Sequence, residues 1–301
     1  MKSIINTTPH HLKRAPTEQE LKMANIVFQN VDRNGYKLKH SIQQLMDNPT
    51  EYAAALIQDC PRNLGPDIEQ LLNAASEDYQ AISAIFPDNV NSELSTRLIS
   101  ITNNHHCFIK QQKQLGNAKT TVQVLEIELI NNNNNRSTNN QTFFLGNIYI
   151  WPKTDPLSTK TLLQDVAKYI NLKTSRLLLA GDFNASSALW DRLNQENVMR
   201  SVRTKNQHYA YKTQRVSAIE RFACRHQMTT LLQTTEPQPT FTETDCRSSW
   251  IDVALVGLKA NRVWQAVQAM EPQKQEYRQH LPIKILSATS QQGCREVDGN
   301  C

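Results

Sequence analysis

The sequence predicts an α/β fold in one domain over residues 24–287. Three observations carry this: short apolar runs alternate with helix-period segments throughout, no internal repeat is visible, and both ends of the chain are polar and aperiodic. At 301 residues with 39% hydrophobic content, the chain can bury one sizeable core. No apolar run approaches the ~20 residues that a membrane-crossing helix needs.

The elements read in order as follows. Ile26-Val27-Phe28 is a short strand with Asn30 just beyond it, and residues 37–47 then place Leu38, Ile42 and Leu45 on one helical face. Ala53 to Ile57 is a second buried strand, followed at once by Gln58 and Asp59; a helix over 66–75 carries Ile68, Leu71 and Leu72. Leu98 to Ile101, Val122 to Ile130 and Phe143 to Ile150 are strands. The last two flank a low-complexity, Asn-rich stretch, 131–141, which is too polar to pack and reads as an expanded hairpin loop. The clearest helical period is 158–171, with Leu162, Val166 and Ile170 four apart behind Ser158 as cap. Leu177 to Ala180 and Ile251 to Val256 are strands, and 214–228 is a helix with Val216, Ile219 and Phe222 on one face. Residues 1–23 and 288–301 read as disordered tails.

Composition narrows the setting. Six cysteines at 60, 107, 224, 246, 294 and 301 form no Cys-x-x-Cys pair, so a zinc module or disulfide scaffold is not expected. The N-terminus lacks the apolar stretch of a secretory signal, and the expected location is intracellular, with nuclear action. Lys and Arg number 33 against 28 Asp and Glu, a net charge of +5 that tolerates a polyanionic partner and equally suits a solvated surface.

Three stretches could carry chemistry. In RLLLAGDFNASSALWD (176–191) a buried strand is released at Gly181, and Asp182 and Asn184 follow with side chains on one side of an extended chain. A carboxylate and an amide aimed together can orient a water and hold an anionic oxygen; the same residues also suit a plain strand-to-loop turn. In SSWIDVALV (248–256) Asp252 interrupts an apolar run, and a buried carboxylate needs a donor or cation. His280 in RQHLPI can be that partner, making a dyad, whereas His10, His11, His105 and His106 read as structural or solvent-exposed. The acids and amides at strand ends, Asn30, Gln58 and Asp59, suit metal ligation and loop formation alike. The basic stretch 200–215 interleaves Arg200, Arg203, Lys205, Lys212 and Arg215 with Tyr209 and Tyr211. That pattern fits a strand-contacting loop, because cations neutralise phosphates and tyrosines stack on bases; a solvated loop fits it equally.

The order of these features resembles the endonuclease/exonuclease/phosphatase superfamily, the DNase I-like fold, and within it the endonuclease domain of non-LTR (LINE-like) retrotransposons. The matching string runs from Asn30 through Asp59, Tyr149 in NIYIWP, GDFNA followed by Trp190, PTFT (239–242) and Ser248 to Asp252, and ends at His280. The resemblance implies a four-layered sandwich of two stacked β-sheets flanked by helices. It implies an Mg²⁺- or Mn²⁺-dependent endonuclease that nicks DNA as a monomer, and is compatible with a reverse-transcriptase partner in a longer polyprotein. Asn30, Asp59 and Gln279 would lie at the metal. Tyr149 would meet the scissile phosphate, Asp182 would activate water, Asn184 would help hold the phosphate, and Asp252 would fix the tautomer of His280. Two positions depart from the pattern: Asp59 stands where Glu is usual, and Gln279 where Asp is usual, both on the metal side. These departures keep open a relic that binds DNA without turnover; a phosphatase of small phosphate esters, from the same superfamily, is the other alternative.

Overall fold

The computed structural model describes residues 24–61, 64, 66–75, 77–87, 94–130, 142–171, 176–187, 190, 207–233, 239–242, 248–270 and 280–288. Strand β1 (Asn25–Asn30) is buried along its whole length, as its unbroken apolar centre requires of a strand covered on both faces. It runs parallel to β2 (Tyr52–Gln58) and antiparallel to β14 (Ile283–Ser287), the last strand in the chain. With β3 (Tyr79–Pro87), β4 (Leu94–Asn103) and β13 (Trp264–Ala269) these make a six-stranded sheet, in the order β13-β14-β1-β2-β4-β3.

The second sheet has the order β5-β6-β7-β8-β12-β9. It contains β5 (Cys107–Asn117), β6 (Thr120–Leu129), β7 (Thr142–Ile150), β8 (Leu177–Asp182), β9 (Met228–Thr230) and β12 (Asp252–Gly257). A two-stranded ribbon pairs β10 (Phe241–Thr242) with β11 (Ser248–Ser249).

Side-chain alternation assigns the layers. Ile26, Phe28, Ala54 and Leu56 face the second sheet, while Val27, Ala55 and Ile57 pack under α1 (Gly35–Asp47) and α2 (Pro66–Ala74). Helices α3 (Pro156–Ile170) and α4 (Gln207–Arg225) cover the second sheet with Leu162, Leu163, Val166, Ile219 and Phe222. Two mixed six-stranded sheets with four helices among the described residues are the DNase I-like arrangement expected from the sequence.

Each sheet contains one parallel pair, β1/β2 and β7/β8, and these face each other across the sandwich. Their C-terminal ends therefore meet at one edge, and this is where Asn30, Gln58, Tyr149 and Asp182 sit. Gly181 makes the close β7/β8 approach possible: its φ is +146°, and a Cβ there would lie 2.1 Å from the Ile148 carbonyl oxygen.

A buried polar ladder also joins the sheets. Asn147 Nδ2 donates to the carbonyls of Ile57 and Ile99 and to Ser100 Oγ; Gln58 Nε2 donates to Asn147 Oδ1 at 2.7 Å, and Ser100 donates to Gln123. Truncating one member strands the others in a low-dielectric interior. Asn147→Leu should destabilise the fold by about 3 kcal/mol, read as a lower denaturant midpoint with an unchanged slope.

Several boundaries differ from the sequence reading, each for a physical reason. The N-cap of α3 is Asp155, whose carboxylate accepts from the backbone N–H and hydroxyl of Ser158, so Ser158 is a first-turn residue and not the cap. Strand β5 escaped because its CFIKQQKQLGN sequence is an exposed, polar edge held by pairing with β6. Strand β3 is also an edge, and β13 pairs only with β14 in its sheet. The helix expected over 214–228 starts earlier and stops at Arg225, where left-handed Gln227 turns the chain into β9. Strands β6 and β7 pair antiparallel on either side of 131–141, as a hairpin requires; that stretch, like 1–23 and 289–301, lies outside the described residues.

Candidate active site

Strand pairing sets the centre of the site. In the antiparallel β8/β12 pair, Asp182 and Asp252 are direct partners, and in the parallel β7/β8 pair Asp182 is the partner of Tyr149. His280 approaches from just before β14, tied to Phe241 by an isolated bridge and a ring contact with centroids 4.7 Å apart. Its Nδ1 faces Asp252 Oδ2 at 3.0 Å and Oδ1 at 3.2 Å. The backbone N–H of Asp252 donates to Thr240 Oγ1, and Leu281 N–H donates to the Thr240 carbonyl, so the PTFT segment buttresses both halves of the dyad. The dyad read from the sequence is therefore formed, and both members are buried.

Asp182 is held by three donors. Asn30 Nδ2 and Asn184 Nδ2 each reach Oδ2 at 2.7 Å, and the backbone N–H of Asn184 reaches Oδ1 at 2.7 Å. Asp182 and Asn184 are not brought together by strand alternation. The strand ends at Asp182, Asn184 adopts φ 45°, and the aspartate folds back onto its own turn. The second amide hydrogen of Asn184 goes to the Ile150 carbonyl, so this side chain positions Asp182, in place of the phosphate contact the resemblance implies.

Asn30 likewise departs from its expected role. Its amide donates to Asp182 while its Oδ1 accepts from Asp32 N–H, so both polar ends of its side chain are engaged at the hydrolytic carboxylate and the turn after β1. Asp59 is ion-paired with Arg97 at 2.9 Å and Arg33 at 3.3 Å, two residues that sequence reading did not single out. Gln279 lies outside the described residues. A divalent ion expected at Asn30, Asp59 and Gln279 would thus meet one carboxylate already neutralised by two guanidinium groups, a poor match for a hard dication. The described residues do not fit a metal at that position. Among them, Asp182, Asp252 and His280 form the cluster that could hold a cation, with ligand atoms within 4.8 Å of one another, although His280 Nδ1 is already engaged by Asp252.

The electrostatics follow from burial. Burial, and then the Asp252 charge, raise the Asp182 pKa despite its three donors. Burial alone would lower His280, but Asp252, its hydrogen bond and Asp182 outweigh it and raise its pKa, favouring the imidazolium. Tyr149 is pushed far up by burial and by the charges of Asp59 and Asp182, so its hydroxyl stays protonated as a donor. Lys37, buried on α1 and also missed in the sequence, is lowered by desolvation while Asp32 and Asp252 pull it back up. A lysine beside Leu38 on an apolar helix face was its available signal.

The expected DNA-contacting loop is resolved differently. Tyr209, Tyr211, Lys212 and Arg215 fall within α4, while Arg200, Arg203 and Lys205 lie outside the described residues. Arg215 is 1% exposed and donates to the carbonyls of Asn184, Pro152 and Thr154 at 2.7–2.9 Å. It is a strut fixing the turns after β7 and β8, not a phosphate contact: its donors are turned inward. Arg215→Ala should therefore destabilise the fold by about 2–4 kcal/mol, because the carbonyls lose charge-assisted bonds, and thermal melts check this expectation.

This arrangement is a sandwich of two six-stranded sheets with a buried acid–histidine centre at one edge. The fold is that of the endonuclease/exonuclease/phosphatase superfamily, whose members are generally hydrolases of phosphodiester or phosphate groups. Residues 143–275 match the family described as endonuclease-reverse transcriptase; the match holds Tyr149, Asp182, Asn184 and Asp252 and leaves out Asn30, Asp59 and His280. The chain is similar in structure to the endonuclease domain of TRAS1, a telomere-specific non-LTR retrotransposon, at TM-score 0.56 and 14% identity, covering 87% of this chain and 97% of that one. It is comparably similar to a mannosyl-6-phosphatase of Bacteroides thetaiotaomicron (TM-score 0.56, 11% identity, 88% and 99% covered). A third neighbour is D. rerio TDP2 complexed with a single-strand DNA product (TM-score 0.53, 11% identity, 87% and 97% covered). No curated protein shows a significant sequence match. Among the described residues no helix is long and apolar enough to cross a membrane.

Proposed function

We propose that this protein hydrolyses a phosphodiester in DNA, as a nicking endonuclease of the non-LTR retrotransposon type. The observation that carries the reading is the buried Asp182–Asp252–His280 group at the edge where the two parallel strand pairs end. Its match to the endonuclease-reverse transcriptase family over 143–275 favours DNA over a small phosphate ester.

The roles follow from the contacts. Asp182, once ionised, accepts a proton from the attacking water, oriented by Asn30 and Asn184. Asp252 holds Nδ1 of His280, which leaves Nε2 to donate to a non-bridging phosphate oxygen. Tyr149 supplies a second donor, a neutral one, as charge builds on the phosphorane; the P–O bond to the departing sugar oxygen then breaks, and that oxygen takes a proton from solvent. A divalent ion such as Mg²⁺ or Mn²⁺, common in the superfamily, would have to be held by the Asp182–Asp252–His280 group, where it would add charge to screen the phosphate.

Supercoiled-plasmid nicking with Mg²⁺, with Mn²⁺ and with EDTA is the test, run beside a chromogenic phosphate monoester. Nicking that Asp182→Asn abolishes supports the proposal. Turnover of the monoester without nicking would move the assignment to a phosphatase, and DNA binding without either activity to a relic.

A further inference from the structure

The Arg33–Asp59–Arg97 group is unusual for a simple surface ion pair. Two guanidinium groups oppose one carboxylate, leaving a net positive charge beside Tyr149, whose hydroxyl feels Arg97 and Arg33 as well as Asp59. Arg97 is largely enclosed, with its side chain 11% exposed, yet its buried Nε has no hydrogen-bond partner among the described residues. Arg33 is 40% exposed and reaches Asp59 from the turn after β1. That turn is held in left-handed backbone, with φ of 50° at Asp32 and 54° at Arg33, and is latched by Arg33 N–H donating at 2.7 Å to the carbonyl of Asp59, itself left-handed (φ 45°) just after β2. Each such residue costs of order 1–3 kcal/mol, and strain of this kind persists where the surroundings fix a group for use.

We infer that Arg33 and Arg97 form a built-in cation site that receives a phosphate group of the substrate, standing where the resemblance places a metal. A planar guanidinium presents paired N–H donors that match phosphate oxygens, is charged at every working pH, and needs no dehydration of an ion. Asp59 then serves as the clamp that orients both forks, not as a metal ligand. One carboxylate cannot neutralise two arginines, so the residual charge and the partly exposed Arg33 fork are left for the phosphate. Next to it, Tyr149 adds a neutral hydroxyl donor. This inference rests on the phosphodiester reading for its substrate, though not for its binding measurement.

The test is the anisotropy of a short fluorescent DNA duplex at about 0.15 M salt, in EDTA and in Mg²⁺, measured on wild type, Arg33→Gln and Arg33→Gln/Arg97→Gln. Wild type should bind equally within about twofold with or without metal. The single variant should lose several-fold, and the double variant about tenfold or more in EDTA. Mg²⁺ should restore part of the double variant's affinity, because Asp59 is freed to ligate it. Arg33→Gln changes a partly exposed side chain and so keeps the question open to measurement if the double variant fails to fold. Loss of wild-type binding in EDTA, or variants that bind like wild type, would overturn the inference. A wild type that binds in this way yet nicks no DNA would overturn the hydrolase reading and leave the arginine site standing.

Discussion

Asp252→Asn should lower nicking by about 10³–10⁴-fold, with folding preserved. Asparagine matches aspartate in shape, but its amide presents a donor or a neutral oxygen to His280 Nδ1, whose 3.0 Å contact now holds the ring in one tautomer. A ring that accepts from the asparagine amide at Nδ1 still carries a proton on Nε2, but it meets the phosphate as a neutral imidazole and not as the imidazolium. Loss of the carboxylate also lowers the His280 pKa from its raised value, since Asp252 is the largest attraction acting on it. His280→Ala should cost a similar factor. The double variant should be little worse than either single one, because two residues acting as one device fail together. Losses that multiply would show independent roles and dissolve the dyad. Plasmid-nicking rates for the four proteins, with melting curves as the folding control, decide it.

The residues of this dyad were legible because each broke a local pattern. Asp252 is a carboxylate in an apolar strand, and His280 precedes the last strand; a buried charge needs a partner, and the β8/β12 register with the Phe241 bridge delivers one. Asp182 was legible for the same reason, at the release of a buried strand. The strands that form the centre of each sheet were readable because covered strands are continuously apolar. The edge strand β5 was not, since an exposed edge needs no such pattern.

Residue partnerships were harder to read than residue identities. Nothing in GDFN announces that Asn184 turns back with left-handed backbone to hold Asp182, or that Asn30 crosses from the other sheet to join it. Arg33 and Arg97 lie 64 positions apart and meet at Asp59 only because β4 pairs with β2 and the turn after β1 folds over the end of β2. Arg215 illustrates the opposite error. A run of basic and aromatic residues suggests a nucleic-acid loop, yet helical geometry turns this arginine inward onto three carbonyls, and charge counting cannot distinguish the two.

Asp182→Asn should abolish nicking, with a loss of at least about 10³-fold, while DNA binding holds or tightens as a buried negative charge disappears. The same residue sets the pH response. Its pKa is raised from 3.8 to about 7, by burial and then by Asp252, so the base form is depleted as the pH falls below about 7 and nicking should fall with it. His280, raised above its usual 6.5, must keep its proton to donate, so the rate should decline again once the pH passes its titration. Stability follows with a definite sign. Both folded pKa values lie above their unfolded ones, so between about pH 4 and 7 the folded state binds more protons than the unfolded chain, and stability falls as pH rises through that window. Asp182→Asn removes the carboxyl that contributes most of this slope. The variant should therefore melt higher than wild type at pH 8 and show a flatter stability profile between pH 4 and 7. A variant that melts lower than wild type at pH 8 would show that the three donors stabilise the ionised carboxylate by more than its burial disfavours it. Retained nicking would remove Asp182 as the base.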